Sequence, residues 1–181
     1  MVIEQTLLEG VLIFTPRVFS DNRGSFFESF NHRAFETAVG HPVDFVQDNE
    51  SVSHKNVLRG LHFQLPPMTQ GKLVRVVKGS VLDVAVDLRK SSDTFGKHVA
   101  VHLSAENKKQ LWIPAGFAHG FLSLEEGTVF SYKCTNYYAP DTECTIQWND
   151  PVLAIDWGTE APIISPKDQD SLLFHTFASP F

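Results

Sequence analysis

The sequence has little of what several large protein classes require. Only 2 of its 181 residues are cysteine, too few for a disulfide framework, so we expect a reducing compartment and predict a cytoplasmic protein. No apolar run approaches the ~20 residues of a membrane-spanning helix. Residues 1–14 carry Glu4 and Glu9 but no basic residue, which is the wrong order of charges for a secretory signal peptide.

Positive charge is also scarce. The 15 Lys and Arg residues are outnumbered by 21 Asp and Glu residues, for a formal net charge of −6 at pH 7. A general nucleic-acid binder needs a basic surface to displace phosphate counterions, so we expect neither a nucleic acid nor a membrane as partner. There is no glycine-rich phosphate loop either, so an anionic ligand must meet a local cluster of cationic side chains.

Helical periodicity is rare, whereas alternation of apolar and polar residues recurs along the whole chain. This pattern predicts an all-β protein of the sandwich, jelly-roll or barrel type. With 43% hydrophobic residues, among them 15 Phe, the chain is long enough to bury a core as one domain over residues 1–181. Besides the two strands described next, short strands are predicted at Val11–Phe14, Ser25–Phe30, Val43–Asn49, His98–Leu103, Gln110–Ile113, Gly120–Leu124, Thr128–Thr135 and Cys144–Trp148.

Two segments have the clearest local signals. Strands at Leu73–Val77 and Val81–Arg89 flank a turn at Gly79, and alternation gives the second strand an apolar face with Val84 and a polar face with Asp83 and Asp87. One helix is predicted at His32–Val39, capped by Asn31 and ended by Gly40 and Pro42.

Three stretches are more polar than a sheet core tolerates without a reason: residues 45–51, 58–64 and 112–121. Strand spacing places Gln47, Asn49 and Ser51 on one face of the first stretch. In the second stretch, Leu58, Gly60, His62 and Gln64 share a side, opposite Leu61 and Phe63. We therefore expect His62 to point into the barrel.

The segment Pro114 to His119 resembles the second motif of the cupin superfamily, small jelly-roll barrels that often hold a metal. In metal-binding cupins the first motif supplies a His-x-His pair and a Glu, but here it reads His62-Phe63-Gln64, and no Glu occurs between Gln64 and Lys78. His62 and His119 fall short of the three or four ligands that a stable metal site needs. The resemblance implies a cupin-type jelly-roll β-barrel with a few short helices, and no metal.

Six motifs in order extend the resemblance to nearly the whole chain, from about Phe14 to Asp168. Together they resemble the dTDP-4-dehydrorhamnose 3,5-epimerase family, whose members act without a cofactor. The motifs are Asp21-Asn22-Arg23-Gly24, Phe45 to Asn49, Leu58 to Gln64, Gln70 to Arg75, Trp112 to Phe121, and Tyr132 to Tyr138.

The family resemblance implies a chemistry for four residues. Removal of a hydrogen next to a 4-keto group gives an enolate, so the reaction needs a base, a cation near O4, and an acid on the other ring face. By resemblance, His62 is the base and Tyr132 the acid. Asp168 is the carboxylate behind His62, and Lys72 is the cation near the enolate.

The resemblance also implies a binding set for a dTDP-4-dehydro-6-deoxy-sugar. Arg23 and Arg59 are the candidates for the pyrophosphate, because arginine suits bidentate phosphate contacts. Tyr138 matches an aromatic residue that stacks on thymine. Family members are homodimers with a site beside the interface, so Arg23 or Glu28 is expected to serve the partner's substrate. The remaining predicted contacts are Gln47, Asp48, Asn49, Lys72, His119, Glu143 and Lys167.

Taken alone, each residue also has a structural alternative. Tyr132 fits a buried strand aromatic, and Lys72 fits an exposed lysine on an edge strand. Asp83 and Asp87 fit a solvated face or an ion pair with a neighbouring arginine. A further alternative for Asp83 is that it supports Lys72. For the whole protein, the alternatives are an epimerase acting on C3 or C5 only, a metal-dependent cupin, or a non-catalytic sugar-nucleotide binding barrel.

Overall fold

The computed structural model describes residues 1–181, and most of its regular structure is β-strand. The chain forms thirteen strands, in agreement with the predicted all-β class. In chain order the strands are β1 (Val2–Gln5), β2 (Leu12–Thr15), β3 (Val18–Asp21), β4 (Gly24–Phe27), β5 (Gln47–Ser53), β6 (Leu58–Gln64), β7 (Lys72–Lys78), β8 (Ser80–Asp87), β9 (His98–Ser104), β10 (Gln110–Ile113), β11 (Phe117–Ser123), β12 (Thr128–Cys134) and β13 (Glu143–Thr145).

The strands form two large antiparallel sheets and one small one. The six-stranded sheet has the order β1-β2-β10-β7-β12-β5, and the five-stranded sheet has the order β13-β6-β11-β8-β9. Strands β3 and β4 form a separate two-stranded hairpin. Strands β7 and β8 follow one another around Gly79 but belong to different sheets, so this turn links the two walls of the barrel.

The two large sheets pack face to face around the main apolar core. This cluster includes Val74 and Phe130 from the six-stranded sheet and Ala85, Leu103 and Phe121 from the five-stranded sheet, all nearly or fully buried. Polar side chains replace the apolar ones at one part of this interior, and the functional site lies there.

Each sheet is also covered on its outer face. Helix α1 (His32–Val39) packs Phe35 against the six-stranded sheet, with its ring 5.1 Å from that of Trp112. The side chain of Asn31 caps this helix by accepting from Ala34 N, and Gly40 ends it with φ 84°. The predicted bounds of the helix are confirmed.

The C-terminal segment covers the five-stranded sheet with Trp157 and Phe174. It contains helix α2 (Pro166–Gln169), and 3₁₀ turns lie at Pro140–Thr142 and Phe174–Thr176. Neither α-helix has the length and apolar character to cross a lipid bilayer.

Several strand bounds and one face differ from the prediction. Strand β5 begins at Gln47 rather than Val43, and strands β4 and β13 are shorter than predicted. The face of β8 that was predicted to be polar is not solvated, since Asp83, Ala85 and Asp87 are fully buried. Both faces of β8 are covered, one by the opposite sheet and one by the C-terminal segment, so alternation of polarity does not mark a solvent face here.

Candidate active site

A cavity of about 400 Å³ lies between the two sheets. Its walls come from β5, β7 and β12 on one side and from β6, β11 and β13 on the other. The cavity brings together many of the residues singled out in the sequence: Gln47, Asn49, Arg59, His62, Lys72, His119, Tyr132, Tyr138 and Glu143.

His62 is held by a carboxylate from a distant part of the chain. Its Nε2 lies 2.6 Å from Oδ1 of Asp168, a residue on α2 that is almost completely buried. Ser165 caps α2 by accepting a hydrogen bond from Asp168 N, and this fixes the carboxylate. Burial acts to raise the pKa of Asp168, but the hydrogen bond from His62 and its charge outweigh burial and lower it. An ionised Asp168 makes Nε2 the donor and leaves Nδ1 as the acceptor of the ring.

A β-bulge in β6 turns Arg59 and His62 toward the same cavity. His62 pairs with His119, but Arg59 pairs with Phe121, so β6 has one extra residue between the two pairs. Gly60 lies in the bulge with φ 133°, and a Cβ there would be 2.5 Å from Gly120 Cα. The prediction that Leu58 shares the face of His62 is therefore wrong.

Leu58 instead lies in the core cluster under the C-terminal segment, together with Leu61. Arg59 lines the cavity in its place, and its Nε donates to Ser53 Oγ at 3.2 Å.

A second histidine–carboxylate pair lies beside the first. His119 Nε2 is 2.9 Å from Oδ1 of Asp83, and both side chains are buried. Burial lowers the pKa of His119, against the opposing effect of Asp83. Asp83 is therefore a carboxylate that supports a cavity residue, as the sequence suggested, but its hydrogen-bond partner is His119 and not Lys72.

Lys72 and Tyr132 have opposite pKa shifts with the same main cause. Burial lowers the pKa of Lys72, although Cys134, Glu143 and Asp83 act in the other direction. Burial also raises the pKa of Tyr132, which Arg59 opposes. The phenol of Tyr132 therefore stays protonated at neutral pH and is able to donate a proton.

The rim of the cavity contains a cluster of three polar side chains. Tyr138 Oη donates to Glu143 Oε2 at 2.6 Å, and Lys167 Nζ donates to the same carboxylate oxygen. Burial acts to raise the pKa of Glu143, but Lys167 and Tyr138 outweigh it and lower the pKa. Lys167 thus ties α2, which carries Asp168, to β13.

Besides Lys167, which contacts Glu143 but does not itself line the cavity, three predicted binding residues lie outside it. Arg23 is on the β3–β4 hairpin in an exposed ion pair with Asp21 at 2.6 Å. Glu28 is exposed after the same hairpin and accepts from Asn31 Nδ2 at 3.3 Å. Asp48 is on the opposite face of β5 from Gln47 and Asn49, in an ion pair with Lys133 at 3.0 Å.

The cavity also contains residues that were not among the predicted contacts. Period-two alternation along β5 was the signal for Ser51. Gln64 belonged to the polar stretch 58–64, and Gln70 to one of the motifs of the family resemblance. The aromatic residues gave no signal that separates them from core. The additional lining residues are Ser51, Phe63, Gln64, Gln70, Phe121 and Phe130.

The residues around His62 do not form a metal-ligand set. The structure has no group of three or more His, Cys, Asp or Glu side chains placed to hold a metal ion. Gln64, which stands where metal-binding cupins have their second histidine, uses its amide in hydrogen bonds to the backbone of other segments. The prediction that the protein uses no cofactor stays a prediction.

Two facing antiparallel sheets around a cavity lined mainly by polar side chains define a cupin-fold barrel with an enzyme-like site. A family model described as dTDP-4-dehydrorhamnose 3,5-epimerase matches residues 5–176. The chain belongs to this family.

Individual relatives are similar over almost the whole length. The dTDP-4-dehydrorhamnose 3,5-epimerase of Escherichia coli strain K12 is 59% identical over 170 residues, covering 93% of this chain and 92% of the relative. That of Pseudomonas aeruginosa is 59% identical over 168 residues, covering 92% of each. The crystal structure of dTDP-6-deoxy-D-glucose-3,5-epimerase from Legionella pneumophila in complex with dTDP-4-keto-L-rhamnose has a TM-score of 0.94 at 49% identity, covering 98% of this chain and 94% of that chain.

Proposed function

We propose that this protein epimerises C3 and C5 of dTDP-4-dehydro-6-deoxy-D-glucose to give dTDP-4-dehydro-L-rhamnose, a step of dTDP-L-rhamnose biosynthesis. The observation that carries the proposal is the placement of His62 and Tyr132. His62 belongs to the five-stranded sheet and Tyr132 to the six-stranded sheet, and both line one cavity. A sugar ring between them has a base on one face and an acid on the other, which inversion of a carbon requires.

The first step is proton abstraction next to the 4-keto group. His62 accepts the proton at Nδ1, and Asp168 stabilises the resulting imidazolium through the hydrogen bond at Nε2. Negative charge moves to O4 of the sugar as the enolate forms. Lys72 stabilises this oxyanion, because a fixed cation inside a cavity interacts strongly with charge that develops in the transition state.

The second step returns a proton to the other face of the ring. Tyr132 supplies it from its phenol, since burial keeps this group protonated. The same pair acts at C3 and at C5, because both carbons are adjacent to the 4-keto group; between the two rounds His62 releases its proton to solvent and Tyr132 regains one from solvent. Return of the proton by His62 would restore the original configuration and give exchange without net reaction.

The nucleotide part is bound by cationic and aromatic groups around the cavity. Arg59 faces the cavity and is the candidate for the pyrophosphate, while Tyr138 at the rim is the candidate for stacking on the base. The Arg59→Ala variant should bind dTDP at least tenfold more weakly. Normal affinity in this variant would place the phosphates elsewhere.

We further propose that residues 1–181 form one domain and that two copies of the chain associate as a homodimer. The β3–β4 hairpin is the part of each chain that contacts the other. The hairpin exposes Phe19 (52%) and Phe26 (72%), and a pair of large aromatic side chains so exposed is typical of an interface. Arg23 and Glu28 then act on the substrate of the partner, which accounts for their distance from the cavity of their own chain.

Mixed dimers test this arrangement. Homodimers of Arg23→Ala and of His62→Ala should each be nearly inactive, whereas a mixture that exchanges subunits should recover activity. Each hybrid has one site with an intact His62 from one chain and an intact Arg23 from the other. Failure of the exchanged mixture to recover activity would contradict the sharing of sites.

The proposed compartment is the cytoplasm. Cys134 and Cys144 are both free thiols, and a reducing environment keeps them so.

The activity itself is tested by incubating the protein with dTDP-4-dehydro-6-deoxy-D-glucose and following the sugar by NMR. The expected product has inverted configuration at both C3 and C5. Inversion at one carbon only would identify a mono-epimerase, and binding without proton exchange would identify a sugar-nucleotide binding protein. Retention of activity after removal of all bound metal, checked by elemental analysis, separates this account from a metal-dependent cupin.

A further inference from the structure

The segment from Asn136 to Ala139 brings Tyr138 to the rim of the cavity, yet it belongs to no helix or strand. Strand β12 ends at Cys134, and the backbone groups of residues 136–138 form no hydrogen bonds with other backbone groups. A rim residue on such a segment needs another source of order, because backbone that is not hydrogen-bonded is free to move.

Gln64 supplies the largest part of that order. This side chain on β6 is only 4% exposed. Its Nε2 donates to Tyr137 O at 3.1 Å and to Met68 O at 2.5 Å, and its Oε1 accepts from Ala139 N at 2.8 Å. Both hydrogens of the amide and its oxygen are therefore bonded to the backbone of two loops.

Two more glutamines that line the cavity hold the same segment. Gln47 Oε1 accepts from Tyr138 N at 2.9 Å, and Gln70 Nε2 donates to Asn136 O at 2.8 Å. The backbone of each of the residues 136–139 is thus hydrogen-bonded to a glutamine side chain. We name Gln47, Gln64 and Gln70 the glutamine clamp.

The ring of Tyr138 is held at its other end as well. Its hydroxyl donates to Glu143 Oε2 at 2.6 Å, so the residue is fixed through the backbone by the clamp and through the phenol by Glu143. An aromatic ring fixed in this way is already in place before a ligand arrives. Binding then costs less conformational entropy than it would if the segment had to become ordered.

We propose that Gln64, together with Gln47 and Gln70, is a positioning residue that sets Tyr138 in place to receive the pyrimidine base of the nucleotide. The inference rests on the proposed function, because it assigns the base to Tyr138. It also accounts for glutamine at the position where metal-binding cupins have a histidine. An imidazole has two ring nitrogens and cannot make the two donated bonds and one accepted bond of this amide.

The Gln64→Met variant tests the proposal by removing the amide while keeping a side chain of similar length. Hydrogen exchange at the Ala139 amide should be about tenfold faster or more, because its acceptor is lost. The Kd for dTDP should rise about tenfold, while the Kd for inorganic pyrophosphate should change by less than about twofold. Turnover should show a larger rise in KM than fall in kcat.

Two comparisons separate positioning from general damage to the fold. The Gln110→Met variant removes a glutamine of the same 4% exposure that donates to Ser29 O, and it should leave exchange at Ala139 unchanged. The Gln64→Glu variant keeps an acceptor for Ala139 N but loses the donors to Tyr137 O and Met68 O. Its Ala139 amide should stay protected, while its dTDP affinity should fall. This second variant also provides a measurement if Gln64→Met does not fold.

Specific outcomes would overturn the proposal. Unchanged exchange at Ala139 in Gln64→Met would show that the clamp does not order the segment. Equal weakening of dTDP and pyrophosphate would show a general loss of structure, and normal dTDP binding by Tyr138→Ala would remove the base from Tyr138. A different result would contradict the proposed activity: wild-type protein that binds dTDP but exchanges no proton at C3 or C5.

Discussion

His62 and Asp168 are 106 residues apart in the sequence and are joined by a hydrogen bond of 2.6 Å between Nε2 and Oδ1. The bond connects a strand of the barrel to a short helix that packs outside it. It gives His62 a fixed orientation and a fixed tautomer, and both are required of a base that must remove a proton from one face of a sugar.

The Asp168→Asn variant should lose most of its activity while it stays folded. An asparagine amide does not stabilise an imidazolium, and it is able to donate to Nε2 and so favour the other tautomer. We expect kcat to fall by about a hundredfold or more, with a much smaller change in KM. Steady-state kinetics measure both. The control is Asp170→Asn, which changes an exposed carboxylate at the end of the same helix. A kcat for Asp168→Asn close to wild type would contradict the role of this pair.

The Tyr132→Phe variant should separate exchange from inversion. Abstraction by His62 does not require the phenol, so in heavy water the substrate should still gain deuterium, while the yield of inverted product should fall strongly. NMR of the sugar measures both quantities in one sample. Tyr137→Phe is the matched control, because Tyr137 is exposed and does not line the cavity. Wild-type turnover by Tyr132→Phe would exclude Tyr132 as the acid.

The activity should decline on the alkaline side as Lys72 loses its proton. Burial lowers the pKa of Lys72, so its cation is lost as the pH is raised, and at a lower pH than for an exposed lysine. Tyr132 titrates later, because its pKa is raised. The Lys72→Arg variant keeps a cation at all these pH values, so its residual activity should decline at higher pH than that of the wild type. An alkaline limb at the same pH in both proteins would assign it to another group.

Sequence patterns predicted most of this fold, because its strands and its first helix have local signals. Asn31 and Gly40 mark the two ends of α1 through capping and a left-handed backbone conformation, and both effects act within a few residues. The burial of the β8 face that contains Asp83 could not be predicted from local signals. Whether an alternating strand has one solvent face or two covered faces depends on what packs on it, and this is not encoded in the strand itself.

The site shows the same division between local and distant information. Alternation along β5 predicted that Gln47, Asn49 and Ser51 share a face, and all three line the cavity. The bulge in β6 interrupts alternation, so Arg59 rather than Leu58 joins His62. Asp168 was placed behind His62 by family resemblance alone, because no pattern within a single segment links a helix to a strand 106 residues away.

A carboxylate outside the site should contribute to stability in a pH-dependent way. Burial acts to raise the pKa of Asp87, but hydrogen bonds from Arg89, Ser92 and Thr94 outweigh it and lower the pKa from 3.8 to about 2. A depressed pKa in the folded state stabilises the protein above the unfolded pKa, and this stability is lost as the pH falls toward the folded pKa.

The Asp87→Asn variant should therefore unfold more easily at neutral pH, by about 2 kcal/mol in the free energy of unfolding. The difference from wild type should be constant above pH ~5 and should shrink as the pH falls from about 4 to about 2. Urea denaturation at several pH values measures it. Asp93→Asn, which changes an exposed carboxylate in the loop that follows β8, should show no such difference. A deficit that does not depend on pH would mean that the charge of Asp87 is not what stabilises the fold.

The most direct test of the mechanism follows solvent deuterium into the sugar. When the wild-type protein is incubated with dTDP-4-dehydro-6-deoxy-D-glucose in D2O, the sugar should gain deuterium at both C3 and C5. The His62→Ala variant should incorporate none while it binds dTDP with nearly normal affinity. Label at either carbon in that variant at the wild-type rate would contradict the assignment of His62 as the base.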